Sequence, residues 1–395
     1  MIQHYPGHAF SVDLARQLAR MGHATVYVHC PSFTAPRGDL RRATSDPATF
    51  SIEEVVLGGS FAKYSPFRRV LQEVSYGRLL NSVVRRIRPD VVLSANLLLS
   101  EAVFVSGCRR SRVPYVPWVQ DIFGTGIRRV LRRRLGPAAS ALGAAFEGIE
   151  GRNLRAGARV VSISEDFASA LDRFGVPAAR VTVIPNWAAI ERIPPMPQRN
   201  AWSEKHGLAG RTVALYSGTL GLKHDPRLLL RLAERLTQTS DAVVVVVSEG
   251  AGARWLEEHR PASLAERLIL LPYQSIEDFP AMLASASVLL AVLEPEAGTY
   301  SVPSKVLAYL CAGRPIVAAI PPDNLSARLV ESVGAGHVSA PGDACAFSDA
   351  VAAVLEDGCA AQRMGEAGRK YAEAHFPIGA VAERFEEVLT AAAAS

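Results

Sequence analysis

Lysine is scarce in this chain: Lys63, Lys205, Lys223, Lys305 and Lys370 are the only five, and every other basic residue except histidine is arginine. Two of the five sit where they could meet an anion. Lys223 lies in "YSGTLGLKHDP", residues 216–226, where an apolar run ends in a Gly-rich turn and a helix is expected from Asp225 and Pro226. Glycines let the backbone approach a phosphate, a helix N-terminus offers unpaired N–H groups, and a lysine adds a point charge. Lys305 lies in "YSVPSKVLAYLCAGRPIVAAI", residues 300–320. Pro303 suits the first turn of a helix, Ser301 or Ser304 is placed to cap it, and Gly313 followed by Pro315 ends it. A lysine in a first helical turn opposes the helix dipole, a cost that an anion beside that N-terminus would reverse. Either lysine alone also fits an ordinary surface position at a strand-to-helix turn. The pair together suits one diphosphate.

The elements that must position these lysines read as strands alternating with helices. In the first half "ATVYVHC" (24–30), "PDVVLSA" (89–95), "VPYVPWVQD" (113–121), "ARVVSIS" (158–164) and "VTVIPNW" (181–187) are short apolar runs. Amphipathic stretches such as "SVDLARQLARMGH" and "RLLNSVVRRIR" precede the first two. A stretch with three prolines follows, "NWAAIERIPPMPQRNAW", and the alternation restarts with "RTVALYSG", "DAVVVVVSE", "RLILLPY", "ASVLLAVLE", "RPIVAAI" and "GAGHVSA". This pattern predicts an α/β chain of two Rossmann-like, doubly wound domains. The expected boundaries are 1–190, a linker at 191–205, a second domain at 206–375, and a helix at 376–395 that returns toward the first domain. Ligands of such sheets bind outside the carboxyl ends of the strands, so a cleft between the domains is the expected site. The amino terminus offers little apolar sequence before Tyr5, which means a very short first strand or a chain that begins upstream.

Composition narrows the function classes. At 395 residues, with 49% hydrophobic and 21% charged, the chain is globular and large enough for two cores at about 150 residues per domain. Cys30, Cys108, Cys311, Cys345 and Cys359 are scattered and form no C-x-x-C pair, which fits a reducing compartment better than a disulfide framework or a zinc site. No apolar run approaches the roughly 18 residues of a membrane span, and no secretory signal opens the sequence. Residues 1–190 hold 25 Arg and Lys against 14 Asp and Glu, whereas the remainder holds 18 against 24. Arg68-Arg69, Arg85-Arg86-Arg88, Arg109-Arg110-Arg112 and "RRVLRRRLG" (128–136) make up much of that excess. Such clusters attract anionic membranes, phosphorylated acceptors or nucleic acid, or simply face solvent. They are not interleaved with aromatic residues, which ranks nucleic acid last.

"SGTLGLKHDP" paired with "VPSKVLAYLCAGRPIVA" resembles retaining glycosyltransferases of the GT-B fold and family-4 type, especially bacterial colanic-acid and O-antigen transferases of surface-polysaccharide assembly. "VDLARQLARMGHATVYV", "VPWVQDIFG" and "ARVVSISEDFASALDRFGVPAARVTVIPNW" extend the likeness over most of the chain. The resemblance implies two domains facing each other across a cleft, the first for the acceptor and the second for a nucleotide-sugar donor. By it Lys223 contacts the diphosphate, and Lys305 with the N–H groups around the turn made by Ser301, Val302, Pro303 and Ser304 holds phosphate or the moving sugar. Gly218 and Thr219 belong to the Gly-rich turn. Glu249 and Gly250 border the donor pocket, and Tyr273 and Gln274 in "LLPYQSIED" flank the nucleobase, unless Tyr273 is only a half-buried strand end. Gly7 in "HYPGHAF" matches the glycine loop that faces the donor phosphates, with His8 beside it. Asp121 contacts an acceptor hydroxyl or merely starts a turn, and Asn96 with Glu101 nearby stands where many relatives carry a histidine.

Two departures from that family pattern bear on activity. The usual pair of glutamates with seven residues between them falls on Tyr300 and Ala308, with Glu296 a substitute for the first only, and Thr219 stands where many members have arginine. The resemblance implies transfer on one face of the sugar, with the departing diphosphate helping to deprotonate the acceptor and no metal or other cofactor. No D-x-D motif or His/Cys ligand spacing contradicts that. The expected partners are a UDP-linked sugar, a polyprenyl-diphosphate-linked glycan and an anionic membrane surface, at the cytoplasmic face of the cell membrane. The competing readings are a non-catalytic nucleotide-sugar-binding partner of another transferase and an epimerase of the UDP-N-acetylglucosamine 2-epimerase kind. The latter would need a carboxylate and histidine cluster that the sequence does not show.

Overall fold

Runs such as "DAVVVVVSE" carry apolar side chains on both faces, as a strand inside a parallel sheet covered by helices requires. The computed structural model describes residues 1–33, 38–62, 65–136, 140–221, 224–295 and 304–395, and in it these runs form two parallel sheets. The chain divides into a first unit, Met1–Asn186 with Ile378–Ser395, and a second, Trp187–Pro377.

The first unit contains β1 (Ile2–His4), β2 (Thr25–His29), β3 (Phe50–Glu54), β4 (Val92–Ala95), β5 (Tyr115–Val119), β6 (Val160–Ser162) and β7 (Val181–Val183), ordered β3-β2-β1-β4-β5-β6-β7. The second contains β8 (Val213–Ser217), β9 (Val243–Val247), β10 (Leu268–Leu271), β11 (Val288–Val292), β12 (Ile316–Ala319) and β13 (Gly336–Ser339), ordered β10-β9-β8-β11-β12-β13. In each sheet the chain works outward from its first strand and then returns to that strand's other side. A crevice therefore opens between β1 and β4, and between β8 and β11, at the carboxyl ends of the strands.

Two strands depart from the sequence pattern for physical reasons. β1 is only three residues long but lies inside the sheet, between β2 and β4, with Ile2, Gln3 and His4 all buried. β3 was not legible at all. It is an edge strand in which only Phe50 is fully buried, so no apolar run marks it.

The covering helices bury one stripe each. Helix Pro226–Thr239 buries Leu228, Leu229, Leu232, Ala233 and Leu236, and its Asp225 cap accepts from the Arg227 N–H. Each buried leucine contributes roughly 2 kcal/mol. The segment read as a linker, 191–205, lies inside the second unit: Asn200 caps helix Ala201–Lys205 through a reciprocal capping box, and Trp202 is buried. The last helix, Ile378–Ala393, belongs to the first unit. There Phe385 meets Trp118 edge-on with ring centroids 5.0 Å apart, and Arg384 donates to the Val183 carbonyl at 2.6 Å.

Candidate functional site

At the carboxyl end of β8 the second unit must solve a backbone problem. Where β8 and β11 part, Ser217 has peptide groups that need partners. Tyr309 supplies one: its hydroxyl accepts from the Ser217 N–H at 3.0 Å and lies 3.1 Å from the Ser217 carbonyl and 3.2 Å from that of Leu290. Tyr309 sits four residues after Lys305 on helix Lys305–Ala312, so both project from one face of it. Tyr309 was missed in the sequence, although this i, i+4 spacing was there to find it. The helix ends at Gly313 in the left-handed conformation, φ +64°. At its start Ser304 makes no side-chain capping bond, so the capping role offered to Ser304 is corrected.

Lys305 is the central charged group of this site. Its Nζ lies 3.6 Å from the centroid of the Tyr216 ring. The residue as a whole is half-buried, but the ammonium nitrogen is shielded from solvent and has no hydrogen-bond acceptor among the described residues. Burial holds Lys305 well below the usual range of a lysine. A cation over a desolvated ring gains about 2 kcal/mol, less than the several kcal/mol that burying an ammonium costs. Among the described residues no acceptor offsets that cost. Gly218 makes room for this nitrogen: at φ +125° it is in a conformation that favours glycine, and a Cβ there would lie 3.2 Å from Lys305 Nζ.

The neighbouring turns lock together around Gly218. Tyr216 donates to the Thr219 carbonyl at 3.0 Å, and Thr219 Oγ1 shares a hydrogen bond with the Tyr273 hydroxyl. Ser248 Oγ accepts from the Leu220 N–H at 2.9 Å, and Leu220 O accepts from Gly252 N at 2.9 Å. Gly250, at φ +114°, begins helix Ala251–His259, and a Cβ there would lie 3.1 Å from Leu220 O. The structure thus brings together Gly218, Thr219, Gly250, Tyr273 and Lys305, and Glu249 stands exposed beside them. Burial raises the Tyr273 hydroxyl above its usual range. Gln274 is occupied differently from the base-flanking role expected of it: its carbonyl accepts from the Trp202 indole at 2.9 Å and its amide donates to Pro272 O at 2.8 Å. Lys223, Glu296, Tyr300, Ser301, Val302 and Pro303 lie outside the described residues.

In the first unit, Gly7 turns the chain between β1 and helix Ala9–Arg20 at φ +75°, and a Cβ there would lie 2.9 Å from Leu40. His8 packs its ring against His4 and Phe10, at centroid distances of 5.1 and 5.8 Å. Asp121 is half-buried just past β5, but the N–H groups that open helix Phe123–Leu135 are held by another carboxylate. Glu150 accepts from Phe123 N at 2.8 Å and Gly124 N at 2.7 Å. Burial raises Glu150 to about 7 against the pull of these two bonds. Nothing local in the sequence pointed to a cap so distant in the chain.

Asn96 is nearly buried and accepts from the Leu97 N–H at 2.8 Å. Glu101 is only 8% exposed and lies in an internal chain instead of at a surface. Tyr115 donates to it, while Ser94 Oγ lies 2.9 Å from Glu101 and 2.7 Å from Gln3 Oε1. One serine proton cannot serve two acceptors. A protonated Glu101 resolves this by donating to Ser94, which donates to Gln3, and burial indeed raises Glu101 to about 7.

The comparisons with known proteins agree with this architecture. A family model described as Glycosyltransferase Family 4 matches residues 9–192, and one described as Glycosyl transferases group 1 matches residues 198–371. HepE from Anabaena, solved in complex with UDP, is 16% identical over 98% of each chain, with a TM-score of 0.69. Sucrose-phosphate synthase from Thermosynechococcus elongatus is 15% identical over 98% of this chain and 97% of its own, with a TM-score of 0.74. WaaG, a glycosyltransferase involved in lipopolysaccharide biosynthesis, is 15% identical over 99% of this chain and 98% of its own, with a TM-score of 0.69. At these identities the structural likeness speaks for the fold alone. No curated protein matches the chain in sequence. The two Rossmann-like sheets and these matches define a GT-B fold. The chain belongs to the GT-B glycosyltransferases.

Removing the buried charge should free the ligand-free protein of a cost. Lys305→Met is expected to melt higher than wild type without ligand, by roughly 2–4 °C for each kcal/mol recovered, and an equal or lower melting point would show that the ammonium is not a liability. Glu101 gives a pH signature. Because its folded pKa lies above the unfolded one, its stabilising contribution is complete below about 4.5 and is lost as pH rises through about 7. Glu101→Gln should therefore gain stability relative to wild type between pH 5 and pH 8, by on the order of 3 kcal/mol at most. A difference between the two proteins that stays constant across that range would refute the protonated network.

Proposed function

We propose that this chain is a retaining glycosyltransferase that moves a sugar from a UDP-linked donor to a lipid-linked glycan in bacterial surface-polysaccharide assembly. The observation that carries the reading is the Lys305 ammonium, without an acceptor among the described residues, at the switch point of the second unit, beside the Gly218 turn and the start of helix Ala251–His259. A nucleoside diphosphate would supply the missing anion. HepE has been solved in complex with UDP, which supports UDP as the nucleotide. WaaG is involved in lipopolysaccharide biosynthesis, which supports a surface saccharide as the product.

In the reaction, the bond from the anomeric carbon to the donor phosphate breaks while a bond from that carbon to the acceptor oxygen forms on the same face. The acceptor proton passes to the departing diphosphate. Lys305, and Lys223 in the role its motif implies, stabilise charge as it builds on the leaving group. The remaining work is positioning, and the reading calls for no metal. The amino-terminal unit would hold the acceptor, with Asp121 as its polar contact.

An anionic membrane surface fits this acceptor. Among the described residues no helix is long and apolar enough to cross a membrane, but helix Pro66–Ile87 exposes an apolar stripe. Phe67 is 88% and Leu71 71% exposed, with Val70 between them and Arg68 alongside. An exposed apolar stripe edged by arginine suits the boundary of anionic lipid. A second reading rests on Ala308, which stands where the resemblance expects a glutamate for the ribose: a protein that binds a nucleotide sugar without turning it over.

Titration with UDP, GDP, ADP and dTDP should raise the melting point of wild type with one of them and leave Lys305→Met unmoved. Saturation a hundredfold above Kd gives about 2.7 kcal/mol. Incubation with the matching nucleotide sugar should release the diphosphate, with or without EDTA. Binding without release favours the non-catalytic partner, and no shift with any nucleotide removes the donor-site reading. Flotation with anionic vesicles should fall as salt rises and drop in Phe67→Ser/Leu71→Ser; vesicle binding indifferent to both would rule out the membrane surface.

A further inference from the structure

The first unit has a second feature at the opposite end of its sheet from Asn96 and Asp121. Where the chain enters β5, β6 and β7, five arginines line one open cavity of about 570 Å³: Arg109, Arg112, Arg155, Arg159 and Arg180, joined by Ser395. That volume lies within the roughly 300–1,000 Å³ range of small-molecule sites. Among the described residues no aspartate or glutamate side chain lines the cavity, and none of the five arginines is in an ion pair.

Helix ends explain only part of this. Arg109 and Arg155 lie in the last turns of helices Leu98–Arg110 and Ser140–Arg155, where a cation complements the helix dipole. Arg112, Arg159 and Arg180 are outside the α-helices. Arg112 occupies a left-handed turn position, φ +54°, that glycine would take with less strain. Arg155 Nη1 donates to the Phe174 carbonyl at 2.5 Å and Arg159 Nη1 to the Ala179 carbonyl at 3.3 Å, so each guanidinium is tethered by one of its five N–H groups. The floor is closed by Gly157, where a Cβ would come within 2.6 Å of the Pro117 ring.

We propose that this cavity is a second binding site, for a multiply charged anion bearing phosphate. Guanidinium forks match the paired oxygens of a phosphate and stay charged at any working pH. Among the described residues the only aromatic one lining the cavity, Tyr115, is 3% exposed and hydrogen-bonded to Glu101. No ring face is offered to a nucleobase, and recognition is by charge. The phosphate comes either from a soluble polyphosphate or from a lipid headgroup, and the two sources separate experimentally.

The test uses the full chain as wild type, as Arg112→Gly/Arg180→Ala and as Lys305→Met. Glycine at position 112 keeps the turn in an easier conformation, so a loss there is not a folding failure. Calorimetry with inorganic tripolyphosphate and flotation with phosphatidylglycerol or phosphatidylcholine vesicles are the two arms. Tripolyphosphate binding that is equal in wild type and Lys305→Met but about tenfold weaker or more in the double variant, a loss of at least one charge-assisted contact, assigns the site to a soluble polyphosphate. Capture by phosphatidylglycerol alone, lost in the double variant, assigns it to a headgroup. Binding unchanged in the double variant, binding lost in Lys305→Met, or no binding in either arm overturns the proposal.

Discussion

A lysine ammonium shielded from water, with no hydrogen-bond acceptor among the described residues, is the constraint around which the second unit is arranged. Lys305 can occupy its place only because Tyr216 offers a ring face and Gly218 has no side chain. Tyr309, one turn along the same helix, ties that helix to the backbone of both strands flanking the crevice. Moving the helix would therefore strand peptide groups of β8 as well as the lysine. The folded protein carries a local electrostatic cost that a bound anion would relieve, and the surrounding hydrogen bonds keep the cost from being relaxed away.

The first unit places its charge differently. Its two perturbed carboxylates, Glu101 and Glu150, are satisfied internally, one by hydroxyl groups and the other by helix N–H groups. Their role is to join elements remote in sequence: Glu101 links β4 and β5 through Ser94 and Tyr115, and Glu150 fixes the start of helix Phe123–Leu135. The arginine excess, in contrast, stays at the surface, where a concave cluster at the strand entries and an apolar, arginine-edged helix face are separate features. Net charge alone would have merged the two.

Much of the fold was legible because parallel strands buried on both faces must be continuous apolar runs, and β2, β4 to β6 and β8 to β12 all are. β3 was invisible because an edge strand needs only one buried face, and β1 because three residues make no run. Gly218 and Lys305 stood out in the sequence at turns before helices, and the structure puts Gly218 at positive φ and Lys305 in a first helical turn. Gln274 and Glu101 were read toward ligands because both are polar residues near expected strand ends, and only packing shows that Trp202 and Tyr115 already engage them. Glu150 had no local signal, its partners being far away in the chain.

The sequence by itself determined the alternation of strands and helices, the two-fold repetition of a Rossmann-like pattern, and the glycines and sparse lysines at the strand-to-helix turns. These follow from local steric and hydrophobic rules, which act between residues a few positions apart. Only the tertiary structure decided which polar groups are spent internally and which remain uncompensated, and that five arginines from separate segments line one cavity. Those outcomes depend on desolvation and on contacts between residues tens of positions apart, and neither quantity is written in any short stretch of chain.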